Sequence, residues 1–151
     1  MHRLLLLFPI LAFGVWLATG CAPKAYKDAL HTGSTLEQRG DYESAYKYYE
    51  EAVRLRPNDK IAQAKLNQLG RLISSAATEK GIQAFENKKY RTASELFTKA
   101  LHYNANNQDA RSYNEKAKTQ YNLIRKKYSE ADRLKAQSEW VDAVHLLNEI
   151  S

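Results

Sequence analysis

The chain of 151 residues is long enough for about one domain, and its 44% hydrophobic and 26% charged residues are ordinary for a globular protein. Its single cysteine excludes an intramolecular disulfide, and its four histidines are too far apart in the sequence to form a ligand-spaced pair, so we expect no metal site. The net charge is +6, and only three prolines and six glycines interrupt a chain rich in alanine, lysine and tyrosine, which favours helix over sheet.

The first twenty residues, MHRLLLLFPILAFGVWLATG, have the layout of a secretory signal peptide. A short basic end precedes an apolar run from 4 to 18, and small residues follow that run. A run of this length is short for a membrane-spanning helix, which needs about 20 residues. We therefore predict a signal peptide at 1–20, and the alternative is an uncleaved membrane anchor followed by an incidental cysteine.

The sequence LATGC at 17–21 resembles the lipobox of bacterial lipoproteins. The resemblance implies that cleavage leaves Cys21 as the first residue, that its thiol carries a diacylglycerol, and that its new amine is acylated. A thiolate is the strongest side-chain nucleophile for such a transfer, and two or three acyl chains together anchor a protein stably. Residues 21–25 would then be a lipidated tether. In Gram-negative lipoproteins an Asp after the cysteine tends to retain the protein in the inner membrane, so Ala22 favours the periplasmic face of the outer membrane.

Three later segments share one pattern: RGDYESAYKYYEEAVRLRPND at 39–59, NKKYRTASELFTKALHYNANN at 87–107 and QSEWVDAVHLLNEIS at 137–151. Aligning Ala45, Ala93 and Ala143 places an aromatic residue three positions earlier and a large apolar residue four positions later. Spacings of three and four place these residues on one face of a helix. Such internal periodicity predicts an all-α repeat protein.

The pattern resembles the tetratricopeptide repeat (TPR), a helix-turn-helix unit. The resemblance implies an α-solenoid of antiparallel helical hairpins over 26–151, with copies at about 26–59, 74–107 and 124–151. The matching positions are Gly33, Ala45, Tyr49, Ala52 and Pro57 in the first copy, Gly81, Ala93, Phe97 and Ala100 in the second, and Ala143 in the third.

The copies are spaced 48 and 50 residues apart, whereas the family repeats every 34 residues. The inserts at 60–73 and 108–123 have helical periodicity themselves, which predicts elongated linking helices. Residues 108–137 contain no Gly or Pro, so we expect one helix of about 30 residues there, roughly 45 Å long. Asn58 or Asp59 would cap the first linking helix, and Asn106 or Asn107 the second. Gly70 and Gly81 leave open whether the first linking helix bends or ends early.

Catalytic motifs are absent from the sequence. It has no Gly-rich phosphate loop, nucleophile elbow or HExxH motif, and we expect no enzyme, no cofactor and no small-molecule substrate. The basic clusters ENKKY at 86–90 and IRKKY at 124–128 would suit a polyanion or nucleic-acid binder. Because exported proteins rarely meet nucleic acid, we interpret these clusters as solvated helix faces and expect no nucleic-acid partner. The nearest anionic partner would be the membrane surface.

Candidate contact residues lie on both helices of the repeats. Tyr46 and Tyr48 share a helix with Tyr42 and Tyr49 and cannot all face inward, so we predict an exposed tyrosine patch. The resemblance implies a peptide groove along the first helix of each copy. It would involve Leu30, Ser34, Glu37 and Gln38 in the first copy and Thr78, Ile82, Phe85 and Glu86 in the second. The family's clamp for carboxyl-terminal peptides is replaced by Leu30, His31 and Ser34, so we expect no binding to chaperone tails.

Together these features predict a lipid-anchored TPR scaffold or adaptor that binds other cell-envelope proteins in outer-membrane, pilus or secretion-system assembly. The class rests on fold analogy and does not select a partner. The alternative is that the chain is an N-terminal module or fragment of a larger envelope or secretion protein. Val144, Leu147 and Ile150 would lie at an apolar edge that no later helix covers, which favours this alternative.

Overall fold

A computed structural model of the chain describes residues 24–150, so the predicted signal peptide and Cys21 lie outside the described residues. This part of the chain contains six α-helices and no strands. The helices are α1 (Lys24–Gln38), α2 (Tyr42–Leu55), α3 (Lys60–Glu86), α4 (Tyr90–Tyr103), α5 (Gln108–Ala136) and α6 (Trp140–Asn148).

Each helix packs mainly against the next one in the chain, and α3 also touches α5. Short turns join α1 to α2, α3 to α4 and α5 to α6, so residues 24–150 form three antiparallel hairpins. The predicted all-α, TPR-like solenoid is confirmed. The linking segments continue without a break into the first helices of the second and third hairpins, which makes α3 27 residues long and α5 29 residues long.

Small residues form the closest contacts between helices. Ala45, Ala52, Ala93, Ala100 and Ala143 have no exposed surface, and each faces a neighbouring helix. The ring of Tyr49 packs over Gly33, and the ring of Phe97 packs over Gly81 in the same way. These glycines and alanines let the backbones approach, while the rings fill the remaining space.

The turn within each hairpin uses the same backbone conformation. Gly40, Lys88 and Ser138 occupy equivalent positions, and their φ angles are 78°, 57° and 66°. Glycine adopts a positive φ without steric cost, whereas a residue with a Cβ loses roughly 1 kcal/mol or more. The backbone geometry of the turn is therefore preserved although the residue that adopts it changes.

The caps of the linking helices match one of the two residues expected at each place. The Asp59 carboxylate accepts hydrogen bonds from the amides of Ile61 and Ala62, and the Asn107 side chain accepts one from Ala110. Asn107 also donates its amide hydrogens to Ser74 and Thr78, so the cap of α5 is fixed to α3.

Three boundaries refine the sequence prediction. Helix α1 begins at Lys24, so the predicted tether at 21–25 overlaps the first helix. Gly70 and Gly81 lie inside α3 and do not end it. Helix α6 ends at Asn148. At the predicted apolar edge Val144 is 55% exposed, whereas Leu147 and Ile150 are half-buried; Val141, earlier in α6, is 82% exposed.

Candidate protein-binding groove

A groove of about 600 Å³ lies where the start of α2 meets the middle of α3 and the outer face of α4. We call it the junction groove. It exists because α3 extends beyond the first hairpin, and α4 folds back along the second half of α3. Its lining residues are Gly40, Asp41, Tyr42, Glu43, Ser44, Lys47, Leu72, Ile73, Ala76, Ala77, Lys80, Leu96 and Lys99.

The position of α4 beside α3 depends on Gly70. A Cβ at this position would lie 2.6 Å from the carbonyl oxygen of Tyr103 and 3.3 Å from the ring of Tyr46. No side chain fits so close to a backbone oxygen, so only glycine lets the end of α4 approach α3 here. The ring of Tyr46 meets that of Tyr103 edge-to-face at 4.9 Å and holds α2 and α4 together.

Apolar side chains are exposed in the junction groove. Leu72 is 45% exposed and Tyr42 is 41% exposed, although both belong to well-packed helices. The same two residues also line a neighbouring depression formed by Ser34, Glu37 and Gln38 of α1 and by Lys65, Gln68 and Leu69 of α3. The two depressions therefore make a continuous surface with apolar groups at its centre.

The carboxylates on the rim of the junction groove already have partners. Glu43 accepts a hydrogen bond from Lys99 at 2.6 Å, which bridges α2 and α4, and the Tyr103 hydroxyl lies 3.5 Å from its other oxygen. Asp41 caps α2 by accepting from the amide of Ser44. Lys47 and Lys80 have no ion-pair partner within residues 24–150. The uncompensated charge of the rim is therefore positive.

A polar network supports the neighbouring depression. Glu37 accepts hydrogen bonds from the Tyr49 hydroxyl at 2.8 Å and from the Lys65 ammonium at 2.9 and 3.1 Å. Burial alone would raise the pKa of Glu37, but the hydrogen bonds from Lys65 and Tyr49 outweigh it and hold that pKa below its ordinary value. Burial and the hydrogen bond to Glu37 raise the pKa of Tyr49 to about 12. The carboxylate is thus kept charged and the phenol neutral.

The structure separates the predicted contact residues. Tyr46 packs against Tyr103 and is half-buried, because the end of α4 lies over the face of α2 that carries it, whereas Tyr48 is 43% exposed. The tyrosine patch stays a prediction. Ile82 and Phe85 are also half-buried and pack against the core of the second hairpin.

The predicted groove residues of the first copy lie in two places, the surface and the core. Ser34, Glu37 and Gln38 line the depression next to the junction groove, while Leu30 packs into the core of the first hairpin. The sequence did not predict that Tyr42 and Leu72 would line a groove, or that Lys47 and Lys80 would lie on its rim. One signal was available, because Leu72 falls outside the run of Leu66, Leu69 and Ile73, whose spacing of three and four marks the buried face of α3.

Within residues 24–150, no group of three or more His, Cys, Asp or Glu side chains could hold a metal ion. None of the six helices combines the length and the apolar character that a membrane crossing requires.

Comparison with known proteins identifies a tetratricopeptide repeat at residues 25–59, which corresponds to α1, α2 and the turn that follows. No curated protein and no solved structure matches the chain at the significance required. Tetratricopeptide repeats generally mediate protein–protein interactions, and an exposed groove next to the repeat is consistent with that role.

Proposed function

We propose that this protein is a lipid-anchored scaffold that binds other proteins of the bacterial cell envelope, at the periplasmic face of the outer membrane. The observation that carries the binding role is the junction groove, where Leu72 and Tyr42 are exposed between three packed helices. Isolated exposed apolar residues are common on protein surfaces, but apolar groups in a concave site with placed polar groups are typical of binding sites.

The rim favours a partner with an apolar side chain next to acidic groups. Leu72 offers the apolar contact, and Lys47 and Lys80 are free to pair with carboxylates. The charges of Asp41 and Glu43 are engaged in the helix cap and the Lys99 ion pair, so they would repel such a partner less than free carboxylates. The site therefore suits a protein segment rather than a small polar metabolite.

The anchor is supported by the sequence LATGC at 17–21. Replacing Cys21 with Ser removes the only thiol that can accept the diacylglycerol. Cells fed a clickable palmitate should label the wild-type protein and leave the Cys21→Ser variant unlabelled as a longer precursor. Equal labelling of both proteins would refute the lipid anchor.

Site-specific photocrosslinking in cells tests the binding role. Benzoylphenylalanine placed at Leu72 should give discrete crosslinked products with envelope proteins. The matched control is Leu123 on α5, which is 48% exposed and lies outside the groove. A Tyr42→Glu change should weaken the products formed from position 72 by adding a charge to the groove. Equal products from positions 72 and 123 would contradict the assignment of the groove as the binding site.

A further inference from the structure

One end of the first hairpin gathers the residues that lie closest in sequence to the proposed lipid attachment. The start of α1 meets the turn between α2 and α3 there: the Arg56 guanidinium lies 4.7 Å from the centre of the Tyr26 ring, and Tyr26 packs in one apolar cluster with Ala62 of α3. Helix α1 begins three residues after Cys21. We call this end, residues 24–28 and 54–61, the anchor end.

The anchor end is strongly basic. It contains five cations, Lys24, Lys27, Arg54, Arg56 and Lys60, and only two carboxylates, Asp28 and Asp59. The Asp59 carboxylate caps α3, and Arg54 is paired with Glu51 at 2.5 Å. The three lysines have no ion-pair partner within residues 24–150, so their charges are available to an external partner.

An exposed aliphatic side chain accompanies these lysines. Ile61 follows Lys60 in the first turn of α3 and is 70% exposed, more than any other large apolar side chain of residues 24–150 outside α6. Nearby Pro57 is also exposed. A β-branched side chain among lysines, at a helix start, does not contribute to the core of the hairpin. The combination of cations and an exposed aliphatic group is what an anionic lipid surface attracts at its headgroup layer.

We propose that the anchor end rests on anionic phospholipid headgroups, with Lys24, Lys27 and Lys60 paired to phosphates and Ile61 reaching the acyl boundary. This inference rests on the lipid anchor of the proposed function, which brings the anchor end within a few residues of the bilayer. The contact fixes the orientation of the first hairpin and directs the remaining hairpins away from the membrane. The junction groove, formed farther along α3, then faces the aqueous compartment.

Each lysine near an anionic surface strengthens binding about fivefold. Three lysines alone would bind a free protein weakly, but a lipid-anchored protein is already held at the surface. A modest attraction is then enough to select one orientation, and it weakens as salt screens the charges over about 10 Å.

The test uses the full-length lipidated protein, purified in detergent and reconstituted into vesicles. Cys21 is blocked by lipid, so a cysteine introduced as Ile61→Cys can carry a fluorophore that reports the polarity of its surroundings. One set of vesicles contains phosphatidylethanolamine and phosphatidylglycerol, and the other contains phosphatidylcholine alone. The matched control is Val141→Cys in α6, another exposed β-branched residue far along the chain.

We expect the probe at position 61 to shift to shorter emission wavelength in the anionic vesicles only, and to revert in high salt. The probe at position 141 should not respond. Combining Lys24→Glu, Lys27→Glu and Lys60→Glu should abolish the shift, whereas the same charge change at the exposed Lys89, Lys116 and Lys126 should preserve it.

The possible failures are distinguishable. Palmitate labelling of the same preparation reports the anchor independently of the probe. If the protein is lipidated but position 61 responds equally to both kinds of vesicle, or if the lysine changes have no effect, this inference is wrong and the anchored scaffold stands. If no lipid is attached to Cys21, the anchor and this inference are both wrong.

Discussion

The first and second hairpins differ in the side chains that meet where each hairpin packs against the next helix. In the first, Glu37 on α1 accepts hydrogen bonds from Tyr49 on α2 and Lys65 on α3, which makes a polar network across three helices. The three positions that lie 48 residues later carry aromatic rings instead.

Those positions are Phe85 on α3, Phe97 on α4 and Tyr113 on α5. Phe85 meets Tyr113 edge-to-face at 5.7 Å, and Phe97 stacks with Tyr113 at the same centroid distance. In the polar network Glu37 and Lys65 line the depression beside the junction groove while Tyr49 is buried beneath them, whereas all three rings of the aromatic cluster pack in the apolar core of the second hairpin. The repeat determines which three positions meet, but the side chains at those positions can be either hydrogen-bonded polar groups or aromatic rings.

The greatest loss of stability is expected at the buried alanine that both hairpins share. Ala45 and Ala93 have no exposed surface, so Ala45→Arg and Ala93→Arg should each lower the free energy of unfolding by about 3 kcal/mol or more, through overpacking and burial of an unpaired charge. Urea denaturation measures this loss. The exposed Glu50→Arg should cost under about 0.5 kcal/mol. Similar losses for all three variants would mean that Ala45 and Ala93 are not close contacts between helices, and unequal losses at Ala45 and Ala93 would mean that the two hairpins are not equivalent.

Placing the charged residues of the first hairpin at the equivalent positions of the second tests whether those positions correspond. Tyr113→Lys puts the first hairpin's lysine against the rings of Phe85 and Phe97, in place of the carboxylate and phenol that it meets in the first hairpin, and should cost about 2–3 kcal/mol. Adding Phe85→Glu supplies the missing carboxylate. We expect the double variant to be about 1–2 kcal/mol more stable than the sum of the single losses, measured as a double-mutant cycle. Simple additivity would show that the positions do not correspond.

The glycine beneath each ring should respond differently to substitution. A Cβ at Gly81 would lie 2.6 Å from the ring of the fully buried Phe97, whereas a Cβ at Gly33 would lie 3.2 Å from the ring of Tyr49. Replacing a helical glycine with alanine gains about 1 kcal/mol in helix propensity. We expect Gly81→Ala to lose about 1–2 kcal/mol net, because overpacking exceeds this gain.

Gly33→Ala should change the free energy of unfolding by less than about 0.5 kcal/mol, because a small movement of the Tyr49 ring offsets the gain in propensity. Thermal unfolding of the two variants measures the difference. If Gly33→Ala is as damaging as Gly81→Ala, the ring of Tyr49 is held as firmly as that of Phe97.

How much of this could be predicted from the sequence depends on the distance between interacting residues. The spacing of three and four around Ala45, Ala93 and Ala143 is local, and it correctly predicted helices, their buried faces and the all-α repeat fold. The caps were predicted to within one residue, because Asp and Asn before a helix act within one turn.

Contacts between distant segments could not be predicted from periodicity. Lys65 is 28 residues from Glu37, and Lys99 is 56 residues from Glu43. Both pairs depend on how far α3 runs before α4 turns back along it. The same stagger places Tyr103 against Tyr46 and creates the junction groove, so neither the half-burial of Tyr46 nor the groove could be predicted from periodicity.

Acid should weaken the polar network of the first hairpin. The pKa of Glu37 is lowered in the folded protein, so its charged form stabilises the first hairpin at pH values above the ordinary carboxyl pKa. This contribution is lost as the pH falls through the lowered pKa, because the folded state must then take up a proton that the unfolded state already holds. Near pH 7, Glu37→Gln should cost about 1 kcal/mol, and the cost should shrink toward zero near pH 3.

The second hairpin supplies the control for this pH dependence. Phe85→Leu, at the position equivalent to Glu37, changes packing without changing any titratable group, so its cost in urea denaturation should be the same at both pH values. A loss that varies with pH for Glu37→Gln and stays constant for Phe85→Leu would assign the acid sensitivity to the polar network. If the cost of Glu37→Gln is also constant, the carboxylate gains no net stabilisation from Lys65 and Tyr49. The two hairpins would then differ in appearance but not in how their stability responds to acid.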